Sequence, residues 1–226
     1  MQRIYVHPLP VRIWHWVNAV GFVLMILTGL QIRYFGSIEV VSLLWAVHLH
    51  NWTGFVLIAN FFVWLLYYMF SDRIRVYHPE LSPKKHFEGT IRQAHFYGYG
   101  IFKGDPNPFR VTIYRKFNPL QSMLYQIIMM LVVPFQFFIG ILLYDAKYFS
   151  NQINFVGGLR VIDTVHALLF IFFVAFLVVH IYLGALGHTF SAHYKAMFTG
   201  YEEVEDEDVT HMELPSDKPQ AETPSQ

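Results

Sequence analysis

The sequence predicts an all-α integral membrane protein, a bundle of four transmembrane helices with both termini in the cytoplasm. Three observations predict this fold. The 226 residues are 54% hydrophobic and only 14% charged, with a mean hydropathy of +0.35. Four separate apolar segments can each cross a hydrocarbon core about 30 Å thick. The basic residues are concentrated in one long loop, whereas a soluble domain of this size needs a larger polar surface.

The four spans are predicted at about residues 12–34, 43–70, 119–144 and 159–187. The first is interpreted as a retained helix rather than a cleaved signal peptide, because its apolar stretch is long and no small-residue cleavage site follows it. Pro134 in the third span removes one backbone hydrogen bond and predicts a kink, which membrane helices tolerate. Residues 1–200 thus form one transmembrane domain.

The orientation of the bundle follows from the distribution of charge. Nine Lys and Arg residues lie in the loop 71–118, and the positive-inside rule places such a loop in the cytoplasm. With four spans, both termini then lie on that side as well. Within this loop, residues 88–102 are predicted to form an amphipathic helix on the inner membrane surface. The acidic tail, residues 201–226, is rich in Pro and Ser and is predicted to be disordered.

Net charge and cysteine content exclude several classes of function. The formal net charge is zero, so nothing in the charge balance points to nucleic acid as a partner. The chain contains no cysteine, which excludes disulfides, thiolate zinc sites, iron–sulfur ligation and covalent c-type haem. A cofactor in this chain is therefore expected to be held by histidine and non-covalently.

Two histidines of the fourth span, His166 and His180, lie fourteen positions apart in an apolar helix. This spacing corresponds to about 21 Å along a helix and only ~40° around it. One helix thus presents two imidazoles on one face, near opposite sides of a bilayer. Polar side chains at membrane depth are costly and point to function.

Depth pairs these two histidines with histidines of other spans. His15 lies at the inner end of the first span and shares its leaflet with His180. His50, or alternatively His48, lies at the outer end of the second span and shares its leaflet with His166. Two sites, each with two imidazole ligands, are therefore predicted, and such pairs suit haem iron in an electron-transfer protein.

His48 and His50 cannot both serve one iron, because residues two apart on a helix face opposite ways. We choose His50, because Gly54 lies one turn further on the same face and would let a flat macrocycle approach the backbone. Gly184 stands in the same relation to His180. Ordinary packing of small residues between helices is the alternative role for such glycines.

Three further residues are candidates near the inner surface. Arg12 lies one turn before His15 and is predicted to pair with a haem propionate, or else to serve only as a positive-inside anchor. His188 and His193 follow the fourth span, where they either line a quinone pocket or face water. No catalytic residue is predicted.

Five segments together resemble the di-haem cytochrome b subunits of bacterial nickel–iron hydrogenases, formate dehydrogenases and thiosulfate reductases. They are RIWHW at 12–16, LHNWTG at 49–54, YRKFNPLQ at 114–121, VHIY at 179–182 and KAMFTGYE at 195–202. The third and fifth lean toward the thiosulfate-reductase-like branch. The resemblance implies His15 with His180, and His50 with His166, as the axial ligands of two haem b groups.

The resemblance also implies a function in a bacterial cytoplasmic (inner) membrane. Such a subunit transfers electrons across the membrane between menaquinone or ubiquinone and a redox partner subunit with iron–sulfur clusters or c-type haems. It is not a complete enzyme by itself. Two alternatives from other classes are a histidine-lined ion transporter and a haem-free membrane anchor subunit. Stoichiometric zinc or copper without haem would indicate the ion transporter. Respiratory activity that tolerates substitution of the histidines would indicate the membrane anchor.

Overall fold

The computed structural model describes residues 2–5, 7–70, 83–106, 108, 118–185 and 191–204. Nine elements are used below. In chain order they are strand β1 (Gln2–Tyr5), helices α1 (Leu9–Arg33), α2 (Leu43–Phe70), α3 (Pro83–His95), α4 (Pro119–Tyr144), α5 (Ser150–Phe155), α6 (Leu159–Gly184) and α7 (Ala192–Thr199), and strand β2 (Tyr201–Val204). A π-helical turn (Phe96–Gly100) and a last helical turn (Ile101–Lys103) extend α3.

Helices α1, α2, α4 and α6 are each long and apolar enough to cross a membrane, which confirms the predicted all-α, four-helix architecture. Helix α1 begins three residues before its predicted start. Pro10 lies in this first turn, and proline is well suited to it because its missing N–H has no partner to lose there. We call the end of the bundle that carries β1 and β2 the inner end, and the opposite end the outer end.

The four long helices pack as two hairpins. Helix α1 packs along α2, and α4 packs along α6. Gly21 allows the first approach, since a Cβ atom at this position would stand 2.6 Å from Cδ2 of Leu57. The hairpins meet in an aromatic cluster that contains Phe61 and Trp64 of α2 and Phe173 of α6. Backbone contacts between α6 and either α1 or α2 are few, so side chains make most of the contact between α6 and the other hairpin.

Helix α4 contains a π-helical turn, Ile128–Val132, immediately before Pro134. Proline cannot donate the hydrogen bond that the carbonyl of Met130 would accept in a regular helix. The predicted irregularity at Pro134 therefore takes the form of a widened turn. The helix begins with a capping box, in which Asn118 accepts a hydrogen bond from the backbone N–H of Gln121 at 2.8 Å and the Gln121 side chain accepts one from the backbone N–H of Asn118.

The predicted amphipathic helix of the long loop is present as α3, and it begins at Pro83, five residues before the predicted start. Proline again occupies the first turn. The helix packs against the start of α4, where the Asn118 amide donates a hydrogen bond to the Tyr97 hydroxyl at 3.1 Å. Gln93 of α3 is almost completely buried. Helix α3 therefore packs on the bundle as part of the fold.

The prediction that the tail is disordered is wrong at its start, because Tyr201–Val204 forms β2 and pairs antiparallel with β1. The acidic composition of this segment suggested disorder, but the partner strand lies almost a full chain length away and supplies its backbone hydrogen bonds. The pairing places the two ends of the described chain together at the inner end. Residues 205–226 lie outside the described residues.

Candidate functional site

Four of the five histidines within the predicted spans form two pairs, each of which joins α6 to a helix of the other hairpin. His15 of α1 and His180 of α6 have ring centroids 6.1 Å apart, with their planes inclined by 43°. His50 of α2 and His166 of α6 have ring centroids 6.3 Å apart, inclined by 65°. We call these the inner pair and the outer pair. They lie at the contact between the hairpins and about 21 Å apart along α6.

The distance within each pair fits one metal ion held between two imidazoles. A ring nitrogen lies about 2.0 Å from a bound first-row metal ion, and the ring centroid about 1.2 Å behind the nitrogen, so two trans imidazoles have centroids about 6.4 Å apart. Within the described part of the chain, Nδ1 of His15 and Nδ1 of His166 are buried without a hydrogen-bond partner. The separation of the rings therefore fits a ligand that belongs between them.

The number of ligands favours haem over a bare metal ion. In the described residues, no group of three or more His, Cys, Asp or Glu side chains comes close enough to hold a metal. A zinc site needs three or four protein ligands. Two histidines suffice for haem iron, because the porphyrin supplies the other four nitrogens. The residues of both pairs therefore fit haem.

The surroundings of the two pairs differ. In the inner pair, His180 stacks on Phe176 with ring centroids 5.7 Å apart, and His15 meets Trp16 edge to face at 5.3 Å. In the outer pair, Thr28 lies 2.9 Å from Nδ1 of His50. An aromatic side chain thus contacts each of the inner rings, whereas a hydroxyl contacts one of the outer rings.

His48 does not take part in either pair. Its side chain is exposed and meets Trp45 of the same helix edge to face, with ring centroids 6.4 Å apart. The structure thus places His50, and not His48, opposite His166. The opposed directions follow from the two-residue separation on a helix.

Arg12 lies in the first turn of α1, and its side chain contacts α7. Its guanidinium donates a hydrogen bond to the carbonyl of Phe198, while Trp16 donates one to the carbonyl of Met197 at 3.2 Å. Within the described residues, Nε of Arg12 is buried without a partner. Both side chains also line an apolar groove of about 730 Å³ along α1 and α2. Arg12 thus ties α7 to the bundle.

The two glycines singled out in the sequence face other neighbours. A Cβ atom at Gly54 would stand 3.8 Å from Cε of Met25, and one at Gly184 would stand 3.4 Å from the Tyr194 ring. The glycines beside the outer pair are instead Gly29 of α1 and Gly140 of α4. Their Cβ atoms would stand 3.4 Å and 3.7 Å from Cε1 of His50 and His166, respectively.

Sequence reasoning missed Gly29 and Gly140 because it considered only glycines one turn away from a histidine on the same helix. Gly29 and Gly140 lie on neighbouring helices. Sequence reasoning also missed two polar side chains at the outer pair. Thr28 of α1 contacts His50, and the Gln136 amide nitrogen of α4 lies 3.5 Å from Nε2 of His166. The signal that could have found Thr28 and Gln136 is that both are polar residues inside apolar spans.

The predicted quinone pocket is described only in part. His193 lies on α7 and is exposed, whereas His188 lies outside the described residues. Neither belongs to the inner or the outer pair.

Comparison with known proteins identifies the family of this chain. Residues 6–200 match the family model described as prokaryotic cytochrome b561. The chain is 32% identical over 202 residues to a protein of Escherichia coli (strain K12) named "Putative cytochrome YdhU", and the match covers 88% of this chain and 75% of YdhU. No solved structure matches the chain. The chain therefore belongs to the prokaryotic cytochrome b561 family, and is a bacterial membrane protein that binds haem b and transfers electrons.

Proposed function

We propose that this protein is a di-haem cytochrome b in which the inner pair, His15 and His180, binds one haem and the outer pair, His50 and His166, binds the other. The observation that supports this most directly is the repeated geometry. Two imidazole pairs have nearly the same ring separation, 6.1 and 6.3 Å, at two depths of one bundle. A single pair could be a packing contact between helices, but its repetition about 21 Å further along α6 is the arrangement that transmembrane electron transfer needs.

Bound haem supplies one-electron redox chemistry, and the protein supplies ligands, burial and hydrogen bonds. Helix α6 provides one imidazole to each site, so it fixes the depth of both. Helices α1 and α2 provide the opposite ligands and are held together by their own close packing. The backbones of α6 and of α1 and α2 make few close contacts, which leaves the rings to meet between them.

In the cell, we propose that the protein is a subunit of a respiratory complex in the cytoplasmic membrane. The two proposed haem sites transfer electrons, and we assign the substrate chemistry to a partner. That partner would carry iron–sulfur clusters or c-type haems, and menaquinone or ubiquinone would exchange electrons with this subunit. The thiosulfate-reductase-like branch is the proposed relationship.

A quinone site at the inner end is part of this proposal. Helix α7, which carries His193, is held against the start of α1 by the Arg12 and Trp16 hydrogen bonds. His188 precedes it in the chain. A quinone there would lie close to the inner pair and within reach of the inner leaflet.

The haem content of the purified protein and of its variants tests the ligand assignment. We expect two b-type haems per chain, seen by reduced-minus-oxidised spectra and by haem extraction. His15→Ala or His180→Ala should remove one haem, and His50→Ala or His166→Ala the other. His48→Ala is the matched control, because its exposed imidazole lies outside both pairs, and it should keep both haems.

Three outcomes would contradict the proposal. Absence of b-type absorption would exclude a cytochrome, and stoichiometric zinc or copper without haem would favour the ion transporter. Respiratory activity that survives all four histidine substitutions would favour the bare membrane anchor. For the complex, affinity purification from native membranes should recover a redox subunit together with this chain, and a reduced quinone analogue should reduce the haems.

A further inference from the structure

Thr28 of α1 is a polar side chain buried in the outer half of the bundle, with 6% of its surface exposed. Its hydroxyl lies 2.9 Å from Nδ1 of His50 on the neighbouring helix. This is the shortest polar contact made by any imidazole of the two pairs among the described residues.

The direction of this hydrogen bond follows from the other contact of the hydroxyl. Oγ1 of Thr28 lies 2.6 Å from the carbonyl oxygen of Leu24, one turn earlier in α1. A carbonyl can only accept, so the single hydroxyl hydrogen is donated to Leu24. The oxygen is then left to accept the N–H of His50. The neutral imidazole therefore carries its hydrogen on Nδ1, and its Nε2 lone pair is available to a metal.

Gly29, the next residue of α1, completes the contact surface. The ring of His50 lies where a larger side chain at position 29 would stand, 3.4 Å from the ideal Cβ to Cε1. Thr28 thus orients the ring by a hydrogen bond, and Gly29 leaves room for it. Both constraints come from α1, whereas the imidazole itself comes from α2.

The inner pair lacks an equivalent partner for His15. In the part of the chain that the structure describes, Nδ1 of His15 is buried without a hydrogen-bond partner. The two sites therefore offer ligands of different basicity, because an imidazole that donates its N–H to an acceptor becomes a stronger donor through its other nitrogen.

We propose that Thr28 is a positioning residue that holds His50 in the metal-binding orientation and lowers the reduction potential of the outer haem. This inference rests on the proposed function. A more basic axial imidazole stabilises oxidised iron over reduced iron, so the hydroxyl of Thr28 makes the outer haem harder to reduce than it would otherwise be.

Redox titration of Thr28→Val tests this inference, because valine keeps the shape of threonine and removes the acceptor oxygen. We expect the outer haem to become easier to reduce, by about tenfold in the ratio of reduced to oxidised haem at a fixed potential, which is ~59 mV for one electron. The inner haem should keep its potential. His50→Ala, which is expected to keep only the inner haem, assigns the two waves of the titration.

Two further variants serve as controls. Thr28→Ser restores the hydroxyl and should restore the wild-type potential. Thr53→Val removes another buried threonine hydroxyl, one that lines the groove along α1 and α2, and should leave both potentials unchanged. If Thr28→Val loses the outer haem, its recovery in Thr28→Ser supports the positioning role.

Two results would overturn the inference while leaving the proposed function intact. In the first, Thr28→Val binds two haems with both potentials and the low-spin ferric spectrum unchanged. In the second, Thr28→Ser shows the same change as Thr28→Val, so that the hydroxyl is not responsible. A wild-type protein without two haems would overturn the proposed function itself, and this inference with it.

Discussion

Gly29 and His50 lie in contact across the interface between α1 and α2, and the position that a Cβ atom would take on Gly29 is 3.4 Å from Cε1 of the imidazole. This distance is that of an ordinary van der Waals contact. A methyl group therefore just fits, and any longer side chain must share the volume that the imidazole occupies. The size of residue 29 thus limits where the outer ligand can stand.

We predict that Gly29→Leu weakens haem binding at the outer pair by about 10- to 100-fold, the range seen when a residue that supports a metal ligand is lost. The leucine side chain would push the ring of His50 away from His166. Gly29→Ala is the matched control and should keep both haems, because its methyl group fits. Spectral titration with haem measures both variants. Two haems of unchanged affinity in Gly29→Leu would show that the imidazole is not held against α1.

Arg33 and Asp163 form an ion pair that links the outer end of α1 to the first turns of α6, with Nη1 and Oδ2 separated by 2.8 Å. Both side chains are about half exposed, so water and salt screen their attraction. We predict that a double-mutant cycle with Arg33→Ala and Asp163→Ala gives a coupling of about 0.2–1 kcal/mol.

Thermal unfolding in detergent, at low and high salt, measures this coupling. The exchange of the two residues, Arg33→Asp with Asp163→Arg, should recover most of the stability that either single change loses. A coupling that exceeds about 2 kcal/mol, or one that salt does not reduce, would show that the pair is shielded from solvent in the membrane.

The helices and the histidine pairs were accessible from the sequence because both depend on local regularity. Length and apolar composition define a span, and the helical period fixes how far apart His166 and His180 stand along one axis. Charge then assigns each end of α6 to a leaflet. Depth supplies His15 as the partner of His180 and leaves His48 or His50 as the partner of His166. The structure brings four of these rings together in two pairs, with His50 in the outer one.

The details of the site depend on how helices pack, which no spacing rule supplies. Their positions one turn beyond His50 and His180 pointed to Gly54 and Gly184, but these glycines face Met25 and Tyr194. The contacts made by Thr28 and Gly29 exist only because α1 presents this face to α2. The ribbon of β1 and β2 was missed for the same reason, since it joins segments almost a full chain length apart.

Gly200 ends α7 with a φ of +89°, beside the ribbon. A Cβ atom there would stand 2.7 Å from the Tyr5 ring and 2.9 Å from the carbonyl oxygen of His7. We predict that Gly200→Ala destabilises the protein by about 1–3 kcal/mol, since strain in the left-handed region adds to the clash with the backbone. Thermal unfolding and limited proteolysis near β2 measure the effect.

Gly104 provides a matched control for the strain alone. Its φ is +75°, and no described atom lies within 4 Å of the position of a Cβ atom. Gly104→Ala should therefore cost about 1–2 kcal/mol, the penalty for a left-handed residue with a side chain. Equal losses of stability in Gly200→Ala and Gly104→Ala would argue against a contribution from the clash at Gly200.

The orientation of the bundle is a prediction that the lack of native cysteine makes simple to test. The nine basic residues of the loop 71–118 place the inner end in the cytoplasm. We therefore expect Ser37→Cys, in the exposed outer loop, to react with a membrane-impermeant maleimide in intact spheroplasts. Lys103→Cys, exposed at the end of the helical segment that follows α3, should react only after the membrane is permeabilised.

Because β1 and β2 pair at the inner end, the same experiment fixes the side on which both ends of the described chain lie. A fusion of green fluorescent protein to the C-terminus should fluoresce, since green fluorescent protein folds in the cytoplasm. Labelling of Lys103→Cys in intact spheroplasts, with Ser37→Cys protected, would show that the orientation is the opposite of the predicted one. The inner haem site would then face the periplasm, and the proposed partners would exchange sides.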